Sequence, residues 1–146
     1  MAVRQSYIKQ AAHAKVMPCA YSEAMRYIAN AKETLKLAGH NGRYYTDRKY
    51  VRTACGTAYN GVLVALDHFF EIKKINLPKT RKSIDYYRQG LKNHQKIKDA
   101  LNSVYDILHL SGYYDGILDS EVVKIGFARA KEIISQIKIN PGPEAL

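Results

Sequence analysis

The sequence predicts an all-α protein, an antiparallel bundle of four or five helices in a single domain. Two observations support this prediction. In five segments, apolar residues recur at three- and four-residue steps, which places them on one face of a helix. Short turn sequences separate these segments, and no segment is a convincing strand. The 146 residues, 47% of them hydrophobic, are enough for one domain with a buried core.

The first two helices are predicted over residues 18–38 and 46–74. Gly39 ends the first helix, because glycine is the usual residue just after a helix C-terminus. Thr46 or Asp47 caps the second, since either side chain can accept a hydrogen bond from a free backbone N–H. The residues predicted to face inward are Ala24, Tyr27, Ile28, Ala31, Leu35 and Ala38 in the first helix, and Val51, Cys55, Ala58, Val62, Ala65, Leu66 and Phe69 in the second.

The second helix carries two glycines, Gly56 and Gly61, although glycine inside a helix costs about 1 kcal/mol relative to alanine. Small side chains let a neighbouring helix approach closely, and the stronger dispersion attraction between the two helices can offset that cost. We therefore expect a close helix contact here rather than a ligand site. Asn60 lies beside these residues and needs a hydrogen-bond partner if it is buried. The small-residue stripe consists of Ala54, Ala58, Gly61 and Ala65.

The third and fourth helices are predicted over residues 81–93 and 95–111, with Thr80 as the cap of the third. The apolar residues of the fourth helix continue the spacing of those in the third, almost in heptad register. A single long helix weakened at Gly90 and Asn93 therefore stays open as an alternative. The inward residues are Ile84, Tyr87 and Leu91, followed by Ile97, Leu101, Val104 and Leu108.

The last helix is predicted over residues 120–138, after a turn with the sequence "SGYYDG". Asp119 or Ser120 is its expected cap. Its inward residues are Val123, Phe127, Ala130, Ile134 and Ile137. The chain is thus predicted to consist of an N-terminal arm (1–17), a single helical-bundle domain (18–138) and a flexible C-terminal tail (139–146).

Basic residues are concentrated in one segment of the chain, which has a net charge of +10. Residues 73–98 contain nine Lys or Arg and a single acid, Asp85. Such a segment can follow a phosphate backbone, and an exposed tyrosine within it can stack on bases. The alternative is a solvated helix face that keeps the protein soluble. The residues predicted to bind nucleic acid are Lys79, Arg81, Lys82, Tyr86, Arg88 and Lys92.

Other chemistries are not indicated. The histidines form no pair at metal-ligand spacing and no Cys-x-x-Cys is present, so no metal site is predicted. Without a phosphate-binding glycine loop, no cofactor is predicted either. The longest apolar run, "VLVAL", is far short of the ~20 residues of a membrane helix, and a cytoplasmic location is expected. Cys19 and Cys55 are expected to be inert buried thiols, and His68 a half-buried helical residue.

Two stretches of the chain resemble the HEPN superfamily. "YIANAKETLKLAG" followed by "RKYVRTACGTAYNGVLVALDHFF" is similar to that family's first two helices, and "ALNSVYDILHLSGYYDGILDSEVVKIGFARAKEIISQI" to its closing segment. The likeness covers residues 20–138. It implies a small bundle of the kind found beside bacterial nucleotidyltransferases and in toxin–antitoxin systems, and it implies a homodimer. The sequence also resembles an uncharacterised family of the Bacteroidetes to which no function is attached.

The resemblance leaves three functional hypotheses. In the first, the protein is a non-catalytic module whose basic segment binds RNA, a nucleotide or a partner protein. In the second, it is a metal-independent ribonuclease. In the third, it is a structural subunit that binds only another protein.

The ribonuclease hypothesis concerns two residues. Nuclease members of the superfamily carry an arginine, four to six residues and then a histidine, and Arg88 and His94 match with five between them. A histidine can transfer protons, and an arginine can stabilise phosphate charge. On one continuous helix the two side chains would lie about 120° apart, so they converge only if the helix breaks. Where related non-toxin members often keep an arginine, this chain has His109.

Overall fold

Five α-helices, one π-helix and a two-stranded hairpin make up residues 19–139, the part of the chain that this computed structural model describes. The predicted all-α class is confirmed. The arm predicted for residues 1–17 lies outside the described residues. The tail predicted for residues 139–146 also lies outside them, except for Ile139, which belongs to the last helix. The elements are α1 (Ala20–Lys36), β1 (His40–Asn41), β2 (Tyr44–Tyr45), α2 (Arg48–Ile72), α3 (Ile84–Gly90), α4 (Gln95–Val104), the π-helix (Tyr105–Tyr114) and α5 (Ser120–Ile139).

A tight β-hairpin joins α1 to α2, where the sequence predicted a turn without strands. Each strand has only two residues, too few to show an alternating pattern. Gly42 lies at the tip with φ +62°, a conformation that favours glycine. Asp47 is the N-cap of α2, because its carboxylate accepts a hydrogen bond from the N–H of Lys49 at 3.0 Å. The second of the two predicted caps is therefore correct.

The hairpin is fastened to the start of α5. The carboxylate of Asp119 accepts a hydrogen bond from the N–H of Glu121 at 3.0 Å, so it caps α5 as predicted. The same carboxylate binds the Arg43 guanidinium through two hydrogen bonds of 2.9 and 2.7 Å. The Ser120 hydroxyl donates to the carbonyl of Arg43. These contacts fasten the connection between α1 and α2 to the N-terminus of α5.

α3 begins later than predicted. Its cap is Ser83, whose hydroxyl oxygen accepts a hydrogen bond from the N–H of Tyr86 at 3.4 Å, and not Thr80. A cap must lie directly before the first helical turn to reach a free N–H, and that turn starts after residue 83. Arg81 and Lys82 consequently lie in an exposed loop before the helix rather than in its first turn.

α3 ends at Gly90, so the alternative of one long helix through this region is wrong. A Cβ on residue 90 would lie 2.6 Å from the ring of Phe70 and 2.9 Å from a methyl group of Leu77. The absence of a side chain at residue 90 therefore allows α3 to approach the end of α2 closely.

The fourth predicted helix continues further than expected. α4 passes at Tyr105 into a π-helix that ends at Tyr114, through most of the predicted "SGYYDG" turn. The N–H of Asp115 donates to the carbonyl of Leu110 at 3.1 Å, an i→i+5 bond typical of this structure. The turn itself begins only at Asp115 and includes Gly116, which has φ +64°.

α2 lies in the middle of the bundle, in contact with α1, the π-helix and α5. A Cβ on residue 61 would lie 2.7 Å from the Cβ of Tyr27 and 3.1 Å from the carbonyl oxygen of Ala24, which confirms that Gly61 allows a close approach of α1. All four residues of the small-residue stripe are buried. The other predicted inward residues are also buried, except Tyr27, Leu35 and Ile84, which are half-buried.

The cysteine prediction is half correct. Both cysteines are free thiols, but only Cys55 is buried, and burial raises the pKa of its thiol to about 12. Cys19 is exposed because it precedes the first turn of α1. His68 is half-buried, as expected. Within residues 19–139, no helix is both long and apolar enough to span a bilayer.

Candidate functional site

One face of α2 forms the floor of an open cleft of about 760 Å³. The loop before α3 and the π-helix form its two sides. We call it the tyrosine cleft. The residues on which its chemistry depends are Thr53, Thr57 and Asn60 on α2, Arg81 and Lys82 in the loop, and His109, Tyr113 and Tyr114 on the π-helix.

The π-helix side is a stack of aromatic rings. Because i→i+5 hydrogen bonds widen the turn beyond 3.6 residues, side chains four positions apart lie almost above one another. His109 accordingly stacks on Tyr105 with ring centroids 5.2 Å apart, and on Tyr113 at 5.8 Å. Tyr59 of α2 stacks on the same imidazole at 4.6 Å, and Tyr114 meets it edge-on at 5.0 Å.

Two glycines bring this stack against α2. A Cβ on residue 56 would lie 2.9 Å from the ring of Tyr113. A Cβ on residue 112 would lie 2.5 Å from both the Cβ and the Sγ of Cys55. The expected close helix contact at Gly56 is therefore made with the π-helix, whereas Gly61 contacts α1.

Two rings on the aromatic side of the cleft, those of His109 and Tyr59, are uncharged near neutral pH. Burial lowers the pKa of His109 from its ordinary value of 6.5, so the imidazole is neutral at pH 7. Burial also raises the pKa of Tyr59 to about 12, so its phenol stays protonated. Two rings remain available to a ligand, because Tyr113 is 47% exposed and Tyr114 59% exposed.

The opposite side of the cleft is cationic. Lys82 forms an ion pair with Asp67 at 3.4 Å, and the same carboxylate accepts a hydrogen bond from the Tyr87 hydroxyl at 3.0 Å. Arg81, in contrast, forms no ion pair or hydrogen bond through its side chain with any residue from 19 to 139. Its guanidinium is therefore available to an anion in the cleft.

The predicted nucleic-acid-binding residues do not share one surface. Arg81 and Lys82 line the tyrosine cleft, whereas Tyr86 and Lys92 line a second depression of about 480 Å³. Lys79, which is exposed, and Arg88, which is half-buried, line neither. As predicted from helical spacing, Tyr87 is buried, and Tyr86 is the more accessible of the two tyrosines.

The two predicted catalytic residues contact different neighbours. The Nε of Arg88 donates to the Oδ1 of Asn102 at 2.8 Å, and its guanidinium lies 5.5 Å from the centroid of the Tyr105 ring. His94 meets the ring of Phe69 edge-on at 4.9 Å. The helix does break between them, as convergence requires, but no shared contact joins the two side chains. Their catalytic role stays a prediction.

The aromatic side of the cleft was the part that sequence reasoning missed. Tyr113 and Tyr114 belong to the segment predicted as a turn, and residues four apart do not face one another there. The spacing of Tyr105, His109 and Tyr113 was a signal, but it indicates a ring stack only once the segment is known to be helical. No group of His, Cys, Asp and Glu side chains in the described part of the chain could hold a metal ion.

Comparisons with known proteins identify relatives without a known function. The family model described as "Domain of unknown function (DUF5618)" matches residues 19–139. A solved structure of a protein of unknown function from Dyadobacter fermentans is similar, with a TM-score of 0.74 and 43% identity over 83% of this chain and 94% of that chain. No curated protein matches. Dyadobacter belongs to the Bacteroidetes, which agrees with the resemblance of the sequence to an uncharacterised family of that group. The resemblance to the HEPN superfamily stays a prediction.

Proposed function

The chain belongs to the DUF5618 family, and because the description of that family gives no function, we propose one from the geometry of the tyrosine cleft. The protein is a non-catalytic binding module that takes a nucleotide or a single-stranded stretch of RNA. The observation that carries this proposal is the position of Arg81, a cation with no partner among residues 19–139, in the same cleft as the exposed rings of Tyr113 and Tyr114.

The two sides of the cleft suit the two parts of a nucleotide. A phosphate would be bound by Arg81 and Lys82, and the contact would release counterions. A base would stack on Tyr113 or Tyr114, a contact that contributes about 1–3 kcal/mol per base in single-strand binding proteins. The cleft volume of about 760 Å³ is in the range of small-molecule sites.

The test is charge reversal inside and outside the cleft. Binding of short single-stranded RNA and of mononucleotides is measured at low ionic strength. Arg81→Glu combined with Lys82→Glu should weaken binding about tenfold or more, because two phosphate contacts are replaced by repulsion. The matched control is Lys79→Glu combined with Lys96→Glu, which changes the charge of the same basic segment equally but at exposed positions that do not line the cleft.

The control decides between a site and a diffuse charge effect. If both double variants lose affinity equally, the basic segment attracts anions as a whole and the cleft is not the site. If the wild-type protein shows no salt-sensitive binding of either ligand, the proposal is wrong and the hypothesis of a protein-binding subunit takes its place.

The likeness to the HEPN superfamily extends the proposal to a homodimer. Exposed apolar side chains on the π-helix and α5, among them Leu110 and Ile125, support this extension. Sedimentation should detect a dimer at tens of micromolar protein. Only monomer at that concentration would count against the dimer without affecting the cleft. A cytoplasmic location is also proposed, since the exposed free thiol of Cys19 suits a reducing compartment.

A further inference from the structure

We propose that the ligand is a single strand of at least two nucleotides, which passes from the tyrosine cleft across Ser83 into the second depression, the one lined by Tyr86. The inference rests on the proposed function, because it decides between the two ligands named there, a nucleotide and a strand. Ser83 lines both the cleft and the second depression, so the edges of the two recesses meet at this side chain.

The crossing point offers hydrogen-bond donors to a phosphate that links two nucleotides. Arg81 and Lys82 directly precede Ser83 and line the cleft. The hydroxyl oxygen of Ser83 accepts a hydrogen bond from the N–H of Tyr86 at 3.4 Å, and its hydroxyl hydrogen has no acceptor in the described part of the chain. That hydrogen can therefore be donated to a phosphate oxygen beside the two cations.

The lining of the second depression suits a nucleobase. Its half-buried lining residues are Leu77, Pro78 and Tyr86, and every other residue that lines it is polar and exposed. A base is divided in the same way, because its flat faces stack on aromatic rings and its edges form hydrogen bonds. A base can therefore lie on the apolar side chains while its edge meets the polar ones.

The charges of the two recesses differ in a way that separates phosphate from base. Among the described residues that line the second depression, Asp85 and Lys92 are the charged ones, and their charges are opposite. The cleft instead has the two cations Arg81 and Lys82. We therefore expect the linking phosphate to stay on the cleft side of Ser83 and the uncharged second base to occupy the depression.

Tyr86 is held in place and still has a polar group to offer. Its ring meets those of Phe70 and Tyr87 edge-on, with centroids 6.3 and 5.1 Å apart. Its hydroxyl forms no hydrogen bond with any residue from 19 to 139. The residue follows Ser83 by three positions, about 4.5 Å along a helix axis, so a base on its ring lies close to a phosphate at the crossing point.

The experiment adds a second base without adding a phosphate. Uridine monophosphate (UMP), uridine 3′,5′-bisphosphate (pUp) and the dinucleotide pUpU are titrated into the full-length protein by calorimetry. Both pUp and pUpU have two phosphates, and charge alone favours pUp, because a terminal phosphate carries more charge than a linking one. The dinucleotide should nevertheless bind about tenfold more tightly than pUp, since stacking of one base contributes about this factor. The ratio should not change with salt, because a base contact releases no counterions.

Variants of Tyr86 locate the second base. Tyr86→Leu removes the ring but keeps an apolar side chain, and it should reduce the advantage of pUpU over pUp to about twofold or less. Tyr86→Phe keeps the ring and should keep the advantage. The matched control is Tyr44→Leu, which removes a ring that is 54% exposed and lines neither recess, and it should behave as the wild type does.

A measurement on the wild-type protein keeps the test valid if Tyr86→Leu does not fold. Gln89 is exposed and lines the second depression but not the cleft. Its side-chain amide signal in an NMR spectrum of ¹⁵N-labelled protein should therefore shift when pUpU is added and stay in place when UMP is added.

The failure of this inference is distinguishable from failure of the proposed function. Equal binding of pUp and pUpU, lost in the Arg81 and Lys82 variant, would overturn the strand and leave a module for mononucleotides standing. An advantage of pUpU that survives in a folded Tyr86→Leu protein, or a Gln89 signal that does not respond to pUpU, would also overturn it. Absence of binding by all three ligands and by longer oligouridylate would overturn both.

Discussion

The imidazole of His109 stacks on the phenol ring of Tyr59, with ring centroids 4.6 Å apart and planes inclined by 29°. The contact joins the π-helix to α2, and Tyr105 and Tyr113 continue the stack along the π-helix. Stacked aromatic pairs contribute about 0.5–1.5 kcal/mol each beyond the burial of their area. The same rings therefore hold two elements together and form the aromatic side of the cleft, so the stability of the π-helix and the shape of the site are coupled.

Gly112→Ala tests the close approach that this stack requires. The new Cβ would lie 2.5 Å from the Cβ and Sγ of Cys55, and neither is the far end of a flexible side chain. Overpacking of a buried contact typically costs about 1–3 kcal/mol, so we expect a loss of unfolding free energy in that range. Chemical denaturation followed by circular dichroism measures it.

The companion variant is Cys55→Gly, alone and combined with Gly112→Ala. Removing the thiol side chain opens space for the new methyl group, so the double variant should be more stable than the two single effects predict. Strict additivity of the two effects would mean that the two residues do not press against each other, contrary to the structure.

Stability should fall as the pH is lowered through the titration of His109. Burial holds the pKa of the folded-state imidazole below its ordinary value of 6.5, so the unfolded chain takes up the proton first. Stability is fully present above 6.5 and is lost between that value and the lowered folded pKa, below which the loss stops. Four tyrosine rings surround the imidazole and supply no charge partner.

His109→Gln keeps a polar side chain of similar reach that does not titrate. Urea denaturation between about pH 7.5 and pH 5 should show a smaller dependence on pH in this variant than in the wild type. Equal slopes for the two proteins would show that the imidazole is as accessible to protons in the folded chain as in the unfolded one.

The binding-module and ribonuclease hypotheses predict different effects of replacing His94. If the protein is a binding module, wild-type protein leaves RNA intact and His94→Ala keeps its affinity, because His94 contacts Phe69 and does not line the tyrosine cleft. Gel analysis of labelled single-stranded RNA decides the question. Cleavage by the wild type that disappears in both His94→Ala and Arg88→Lys would establish the nuclease and overturn the binding module as the function.

The all-α class and the core could be predicted because they depend on local periodicity. Val51, Cys55 and Val62 belong to a set of apolar residues that recurs at three- and four-residue steps. This spacing places them on one face of α2, and that face is buried. The caps were less predictable. Thr80 and Ser83 both have side chains suited to capping, and the spacing of apolar residues does not determine which of them directly precedes the first turn.

The cleft could be predicted only on its cationic side. Arg81 and Lys82 stand out in a basic segment, whereas the aromatic side depends on a π-helix that no simple period indicates. Gly112 illustrates why the aromatic side could not be predicted from local sequence. Its role is set by Cys55, which is more than fifty positions away in the sequence and adjacent in space.

The salt dependence of binding distinguishes the cleft from the basic segment as a whole. Each phosphate contact contributes about 0.7 to the slope of log K against log salt on single strands. Two contacts, from Arg81 and Lys82, should give a slope near 1.4, whereas a strand that also contacts Lys79, Arg88 and Lys92 should give about 3.5. We expect the smaller value, because the structure places only the first two in the cleft and Arg88 is already bonded to Asn102. Titration of a short single strand at several salt concentrations measures the slope. A value near 3.5 that is reduced in steps by charge reversal at each of the five positions would transfer the binding site from the cleft to the open basic surface.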